Sequence, residues 1–147
     1  MARAKEMIMA KYFTFYELIH SNSAKEYGIK NMPNSLDEYR NIDALMTKVL
    51  DPLREKLGHP IYVTSGYRSR ALNALVHGVI NSQHMKGEAA DITPNDPTIL
   101  MRLWDLIKAK TVKFDQAILY TKRKFIHISY SRTGWNRGEI LYDTESW

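Results

Sequence analysis

The chain has 147 residues, 44% of them hydrophobic and 25% charged, the size and balance of one soluble domain with a true apolar core. It contains no cysteine, which excludes disulfide frameworks, thiolate metal sites and cysteine nucleophiles. Its formal charge of +5 suits solubility or affinity for a polyanion. The only dense basic cluster is Lys122-Arg123-Lys124, however, and no helix-turn-helix, RNA-binding or zinc-finger pattern accompanies it, so no nucleic-acid partner is expected.

Residues 1–11 read as a ragged segment ahead of a single domain over 12–147. The stretch from Met7 to Leu18 is interrupted by Lys11, Tyr12 and Glu17, so it fails as the apolar centre of a signal peptide. No apolar run approaches the ~20 residues that span a bilayer. Thr14 and Glu17 have capping-box spacing and predict a helix from about Thr14. Ser21 to Pro33, with Gly28 and Asn31, reads as an irregular connection. Ser35-Leu36-Asp37-Glu38 is a second capping box. It opens a long helix whose stripe is Tyr39, Ile42, Met46, Val49, Leu53 and Leu57, stopped by Gly58 and kinked at Pro52.

Ile61 to Thr64 is a strand by composition, followed by a short helix from about Arg70 to His77 and a loop from Gly78 to Ser82. A second strand runs from Glu88 to Ile92 and closes at Pro94. Asp96-Pro97 starts a helix that buries Ile99, Leu103, Trp104 and Ile107. Phe114 to Thr121 and Phe125 to Ser131 are β-rich and flank the basic cluster with hairpin spacing, and Ile140 to Tyr142 suits an edge strand. Mixed rather than alternating helices and strands predict an α+β domain with a central, mainly antiparallel sheet flanked by helices.

Of the five histidines, His20, His59 and His77 sit at helix ends or in loops, where a cation or polar ring needs no ligand to explain it. His84 and Asp91 differ, because Gly87 permits a tight turn between them and Ala89 and Ala90 leave room beside a strand. Such a turn aims an imidazole and a carboxylate at one point. His127 stands mid-strand, where alternation alone reads as a buried structural histidine. Two histidines and an aspartate would also match a catalytic zinc site with one position open, or an iron site. H-E-x-x-H is absent.

Three blocks occur in order: Ser65-Gly66-Tyr67-Arg68-Ser69, then Ser82-x-His84-x-x-Gly87-x-Ala89-x-Asp91, then Phe125-Ile126-His127-Ile128-Ser129. Together with Phe13 to Leu18 and Pro52-Leu53-Arg54, they resemble the zinc D-Ala-D-Ala carboxypeptidase family over about 13–131. The resemblance implies a small α+β fold and a zinc peptidase acting on peptidoglycan stem peptides. His84, Asp91 and His127 would be the zinc ligands, and Arg68 the arginine that holds a substrate carboxylate or carbonyl. Ser82 and Gln83 are expected to face substrate. It also implies action at the bacterial wall or periplasm by a chain made in the cytoplasm, and a monomer is expected.

Many relatives place a carboxylate a few residues before the last zinc histidine. Here Gln116 to Ile126 contains none; Lys124 stands three before His127, Phe125 two before, and the strand end offers Tyr120. Asp115 is the nearest upstream acid and is the candidate catalytic carboxylate, with Glu139, Asp143 and Glu145 as alternatives. The remaining readings are that zinc suffices by itself, or that the chain binds wall peptides without cutting them.

Overall fold

The computed structural model describes residues 10–145, so most of the segment expected to be ragged lies outside the described residues. Lys11, its last residue, is tied to the domain: its backbone N–H donates to Asp51 at 2.6 Å and its Nζ to Glu55 at 3.0 Å.

Helix α1 spans Phe15–Ile19 behind a reciprocal capping box between Thr14 and Glu17. The connection expected to be irregular contains a helix instead, α2 (Asn22–Glu26), whose first turn is capped by Ser21 accepting from the Ala24 N–H. At five residues, with Ala24 its one buried side chain, α2 is too short and too polar to carry an apolar period. The long helix starts as expected at α3 (Leu36–Leu45), capped by Ser35. The Glu38 carboxylate reaches back to the Asn34 N–H.

Ahead of Pro52 the ladder widens into a π-turn over Met46–Leu50 before α4 (Asp51–Leu57) resumes. Proline has no N–H to give to the carbonyl four residues back, and its ring crowds that carbonyl. The Asp51 N–H accordingly reaches the Met46 carbonyl. The turn leaves Met46, Val49, Leu50, Leu53 and Leu57 all buried. Gly58, in the left-handed region at φ +75°, ends α4.

Strand β1 (Ile61–Ser65) leads to α5 (Arg70–Leu75), a 3-10 turn over Gln83–Lys86 and β2 (Ala89–Pro94). A 3-10 turn at Pro97–Ile99, capped by Asp96, runs into α6 (Leu100–Lys108), which buries Leu103, Trp104 and Ile107. Strands β3 (Gln116–Tyr120), β4 (Phe125–Ser129) and β5 (Glu139–Asp143) complete a sheet of order β1-β2-β4-β3-β5. Its first three pairings are antiparallel and β5 lies parallel to β3 at the edge. The class is α+β, with a mixed sheet that is mainly antiparallel.

Period-two alternation divides this sheet into two faces. Ala90, Ile92, Ala117, Leu119, Ile126 and Ile128 join the side chains of α3, α4 and α6 in the core. Asp91, Ile118, Tyr120 and His127 belong to the opposite, partly open face. Helices α3, α4 and α6 therefore cover one side, while α2 and α5 only border the open one.

Candidate metal centre

Asp91 on β2 and His127 on β4 are direct cross-strand partners, so both side chains rise from one row of the open face. His84 arrives from outside the sheet on the 3-10 turn. Ser82 caps that turn by accepting from the His84 N–H at 3.1 Å, and Gly87 ends it at φ +78°. A Cβ on Gly87 would stand 2.8 Å from the Glu38 carbonyl oxygen and 2.9 Å from Ile42 Cγ1. The glycine thus supplies both the left-handed turn and the close approach to α3.

The three side chains converge. Asp91 Oδ1 lies 3.0 Å from His127 Nδ1 and 3.3 Å from His84 Nε2, and one ligand atom from each residue falls within 4.8 Å of the others. Zinc bonds of ~2.0–2.1 Å at tetrahedral angles separate neighbouring ligand atoms by roughly 3.3 Å, so this donor set fits the ion with little rearrangement. The proton on His84 is assigned by its other nitrogen: Nδ1 sits 2.8 Å from the Gly66 carbonyl oxygen, which only accepts. Nδ1 therefore donates to that carbonyl and Nε2 is the nitrogen directed at the shared centre, the usual outer support of a metal-binding histidine. Burial would raise the Asp91 pKa, but His84 and His127 outweigh it and hold the carboxyl well below the ordinary range.

Gly66 has a second constraint. A Cβ there would meet the Leu18 carbonyl oxygen at 2.2 Å, and that oxygen already accepts from the Tyr67 N–H at 2.6 Å. The β1–β2 register shifts between Val63 and Ser65, a bulge that turns the chain out of the strand. Arg68 follows three residues after that shift. Its backbone N–H donates to the His84 carbonyl at 3.0 Å, and its side chain borders the cleft over the triad. Burial lowers its pKa against the opposing pull of Asp91, and its buried Nε has no partner. An unpaired, half-desolvated guanidinium fork of this kind suits an incoming carboxylate or carbonyl.

Asn31 steadies this segment from the neighbouring loop. Its Nδ2 donates to the Ile19 and Tyr67 carbonyls and its Oδ1 accepts from the Ser69 N–H. Asn31→Ala leaves three backbone groups without those partners, and a loss of about 1–3 kcal/mol is expected in urea unfolding, together with weaker substrate binding at the adjoining Arg68.

The cleft over the triad, about 320 Å³, is lined by Ser82, Gln83, Gln116, Ile118 and Tyr120 besides Arg68 and the three triad residues. Gln83 Nε2 donates to Asp115 at 3.2 Å and to Glu88 at 3.4 Å. Asp115 stands behind Gln83 rather than in the lining, and Arg137 clamps it through Nε and Nη2 at 2.9 Å each. The Arg137 side chain, with the lesser help of its backbone and of Gln83, holds the Asp115 pKa down. Of the alternatives, Glu139 pairs with Gln116 and Arg137, and Asp143 Oδ1 accepts from the Glu145 N–H. Among the described residues lining the cleft, Asp91 is the one carboxylate.

A profile of the family described as Peptidase M15 matches residues 11–129, a span holding the triad, Arg68 and the sheet strands that carry them. The chain belongs to the peptidase M15 family. This is the zinc D-Ala-D-Ala carboxypeptidase family that its motifs resemble. No curated protein matches the chain. Membership implies a zinc peptidase acting on peptidoglycan-related substrates, and the triad of this M15 peptidase is placed to hold a metal ion. No described helix is long and apolar enough to cross a membrane.

Three supports of the site escape a reading of motifs. The Gly66 carbonyl, the Asn31 amide and the Arg137 clamp all act across long sequence separations. The one local trace is the glycine in Ser65-Gly66-Tyr67-Arg68, whose lack of a side chain allows the contact with Leu18.

Proposed function

We propose that this M15 peptidase is a zinc-dependent peptidase of peptidoglycan stem peptides, cutting as a carboxypeptidase or endopeptidase at a bond that involves a D-amino acid. The observation supporting it is the convergence of His84 Nε2, Asp91 Oδ1 and His127 Nδ1 in an open cleft beside the unpartnered Arg68 Nε. His84, Asp91 and His127 would hold a zinc ion, which would supply Lewis acidity toward a peptide carbonyl and water.

The side chains around it divide the remaining work. Arg68 holds a substrate carboxylate or carbonyl next to the bond to be cut. Gln83 and Ser82 border the substrate, and Asp115 acts as a positioning residue, fixing the Gln83 amide while Arg137 fixes it in turn. Tyr120 lines the same cleft. Burial first, then Asp91 and Asp143, raise its pKa, so at neutral pH it keeps its proton and serves as a hydrogen-bond donor toward charge developing on the carbonyl oxygen. The site of action on this reading is the bacterial wall or periplasm, and the working unit is a monomer over residues 12–147.

Incubating purified wall peptides with the zinc-loaded protein, with and without chelator, tests the reading by mass spectrometry. A product that appears only with metal supports it and names the bond. Arg68→Lys, which keeps the charge but loses the fork, is expected to cost about 1.5–3 kcal/mol of substrate interaction, seen as a roughly ten- to hundredfold fall in kcat/KM carried mostly by KM. A second reading, a zinc module that binds wall peptides without cutting them, is favoured by Asp91 being the one carboxylate among the described residues that line the cleft. Tight zinc binding with intact peptide after long incubation would select it.

A further inference from the structure

We propose that Arg123 and Lys124, at the tip of the β3–β4 hairpin, form a cationic subsite for a second carboxylate of an acidic peptide, two or three residues from the bond that is cut and beyond the group held by Arg68. This deepens the peptidase reading and rests on it.

A groove of about 570 Å³ runs beside the triad cleft and shares Arg68 and Asp91 with it. Its lining includes three cations, Arg68, Arg123 and Lys124, and the hydroxyls of Thr64, Ser65 and Thr93. Among the described residues of the lining Asp91 is the one acid, and the two triad imidazoles flank its Oδ1 at 3.0 and 3.3 Å. The groove is therefore a polar, electropositive path that leads directly to the site.

The tip is held in place. Thr93 Oγ1 donates to the Lys124 carbonyl at 3.3 Å and the Lys124 N–H to Tyr120 at 2.8 Å. The Arg123 guanidinium lies over the Phe125 ring, 5.5 Å from its centroid, and Phe125 stacks on Tyr120 at 4.4 Å. A guanidinium resting on a ring keeps its donor edge free, and no salt bridge engages Arg123 or Lys124 among the described residues. Lys124 sits in the left-handed region at φ +63°, where glycine or asparagine is the cheaper choice. The charge thus occupies a position that backbone preference alone would give to another residue.

Register sets the distance. Asp91 pairs with His127, so Thr93 and Phe125 lie two residues further along β2 and β4, roughly 7 Å from the triad row at ~3.3 Å per residue. Arg123 and Lys124 extend this to roughly 10 Å, which an extended peptide covers in two or three residues.

Peptides carrying Glu, Gln or Lys at the second and third positions from the scissile bond separate the possibilities. Affinity for the zinc-loaded full chain is read by fluorescence anisotropy, and turnover is read alongside. The Glu peptide should bind about five- to tenfold tighter than its Gln twin at low salt, as expected of exposed, screened charges. Arg123→Gln with Lys124→Gln should erase that preference, and Arg123→Glu with Lys124→Glu should turn it toward the Lys peptide, which a merely structural role would not do. Equal affinity for Glu and Gln peptides, or an unchanged preference in the variants, overturns the subsite even if every peptide is cut. A preference that follows the tip charges without cleavage upholds the subsite and removes the peptidase reading instead.

Discussion

Asp91→Ala is expected to lower peptide hydrolysis by about a thousandfold or more, because the Lewis acidity lost with the ion is worth several kcal/mol and each 1.36 kcal/mol is tenfold. The substitution leaves two imidazoles, His84 Nε2 and His127 Nδ1, facing each other without the carboxylate that lies 3.3 and 3.0 Å from them. The fold should survive. Asp91 points to the open face, the β1–β2 and β2–β4 pairings run through its backbone, and the Thr64 hydroxyl contacts its carbonyl rather than its carboxylate. The metal-free variant should unfold within about 1–2 kcal/mol of its parent. Zinc at a hundredfold its Kd should add about 2.7 kcal/mol to the parent and almost nothing to the variant. Thermal melts with and without zinc, beside a turnover assay, check both halves.

Gly66→Ala is the second large effect, and it acts without touching a ligand. The new methyl group would lie 2.2 Å from the Leu18 carbonyl oxygen and 2.9 Å from its carbon. Leu18 cannot easily retreat: its side chain is 1% exposed, its carbonyl accepts from Tyr67, and the next carbonyl, Ile19, accepts from Asn31. Relief must come from the Gly66 backbone, whose own carbonyl holds His84 Nδ1 at 2.8 Å. Overpacking of this kind costs about 1–3 kcal/mol, and misplacing an outer partner of a ligand costs roughly 10–100-fold in metal affinity. Gly58→Ala is the control. It meets nothing within 4 Å at φ +75°, so it should lose about 1–2 kcal/mol of stability to backbone strain alone and keep the parent's zinc affinity.

Local signals carried most of the fold. Thr14, Ser35 and Asp96 cap the turns they were expected to cap, Gly58 ends its helix in the left-handed conformation, and β-rich composition located the strands. At His127 alternation by itself pointed to a buried structural histidine, whereas the ring is half-buried and lines the cleft. Alternation could not say which strand pairs with which, and Asp91 and His127 meet because β2 and β4 are neighbours while β3, next in sequence to β4, lies on its far side. Helix α2 was missed because five residues with a single apolar side chain, Ala24, have no period, and the π-turn because a proline announces a disturbance without saying how the ladder absorbs it. The acid near the end of the peptidase motif posed the hardest question. Asp115 was the nearest upstream acid, yet its oxygens are taken by Arg137 and Gln83, and Arg137 is twenty-two positions away, beyond any spacing rule.

The central claim is that one zinc held by His84, Asp91 and His127 is what makes this chain a peptidase. Titrating zinc into the metal-free protein while following cleavage of wall peptides tests it most directly. Turnover should rise in proportion to zinc and level off at one ion per chain, with no such rise in His84→Ala or His127→Ala. Cleavage that is complete before zinc is added, or a fully occupied site that leaves the peptides whole, would contradict it.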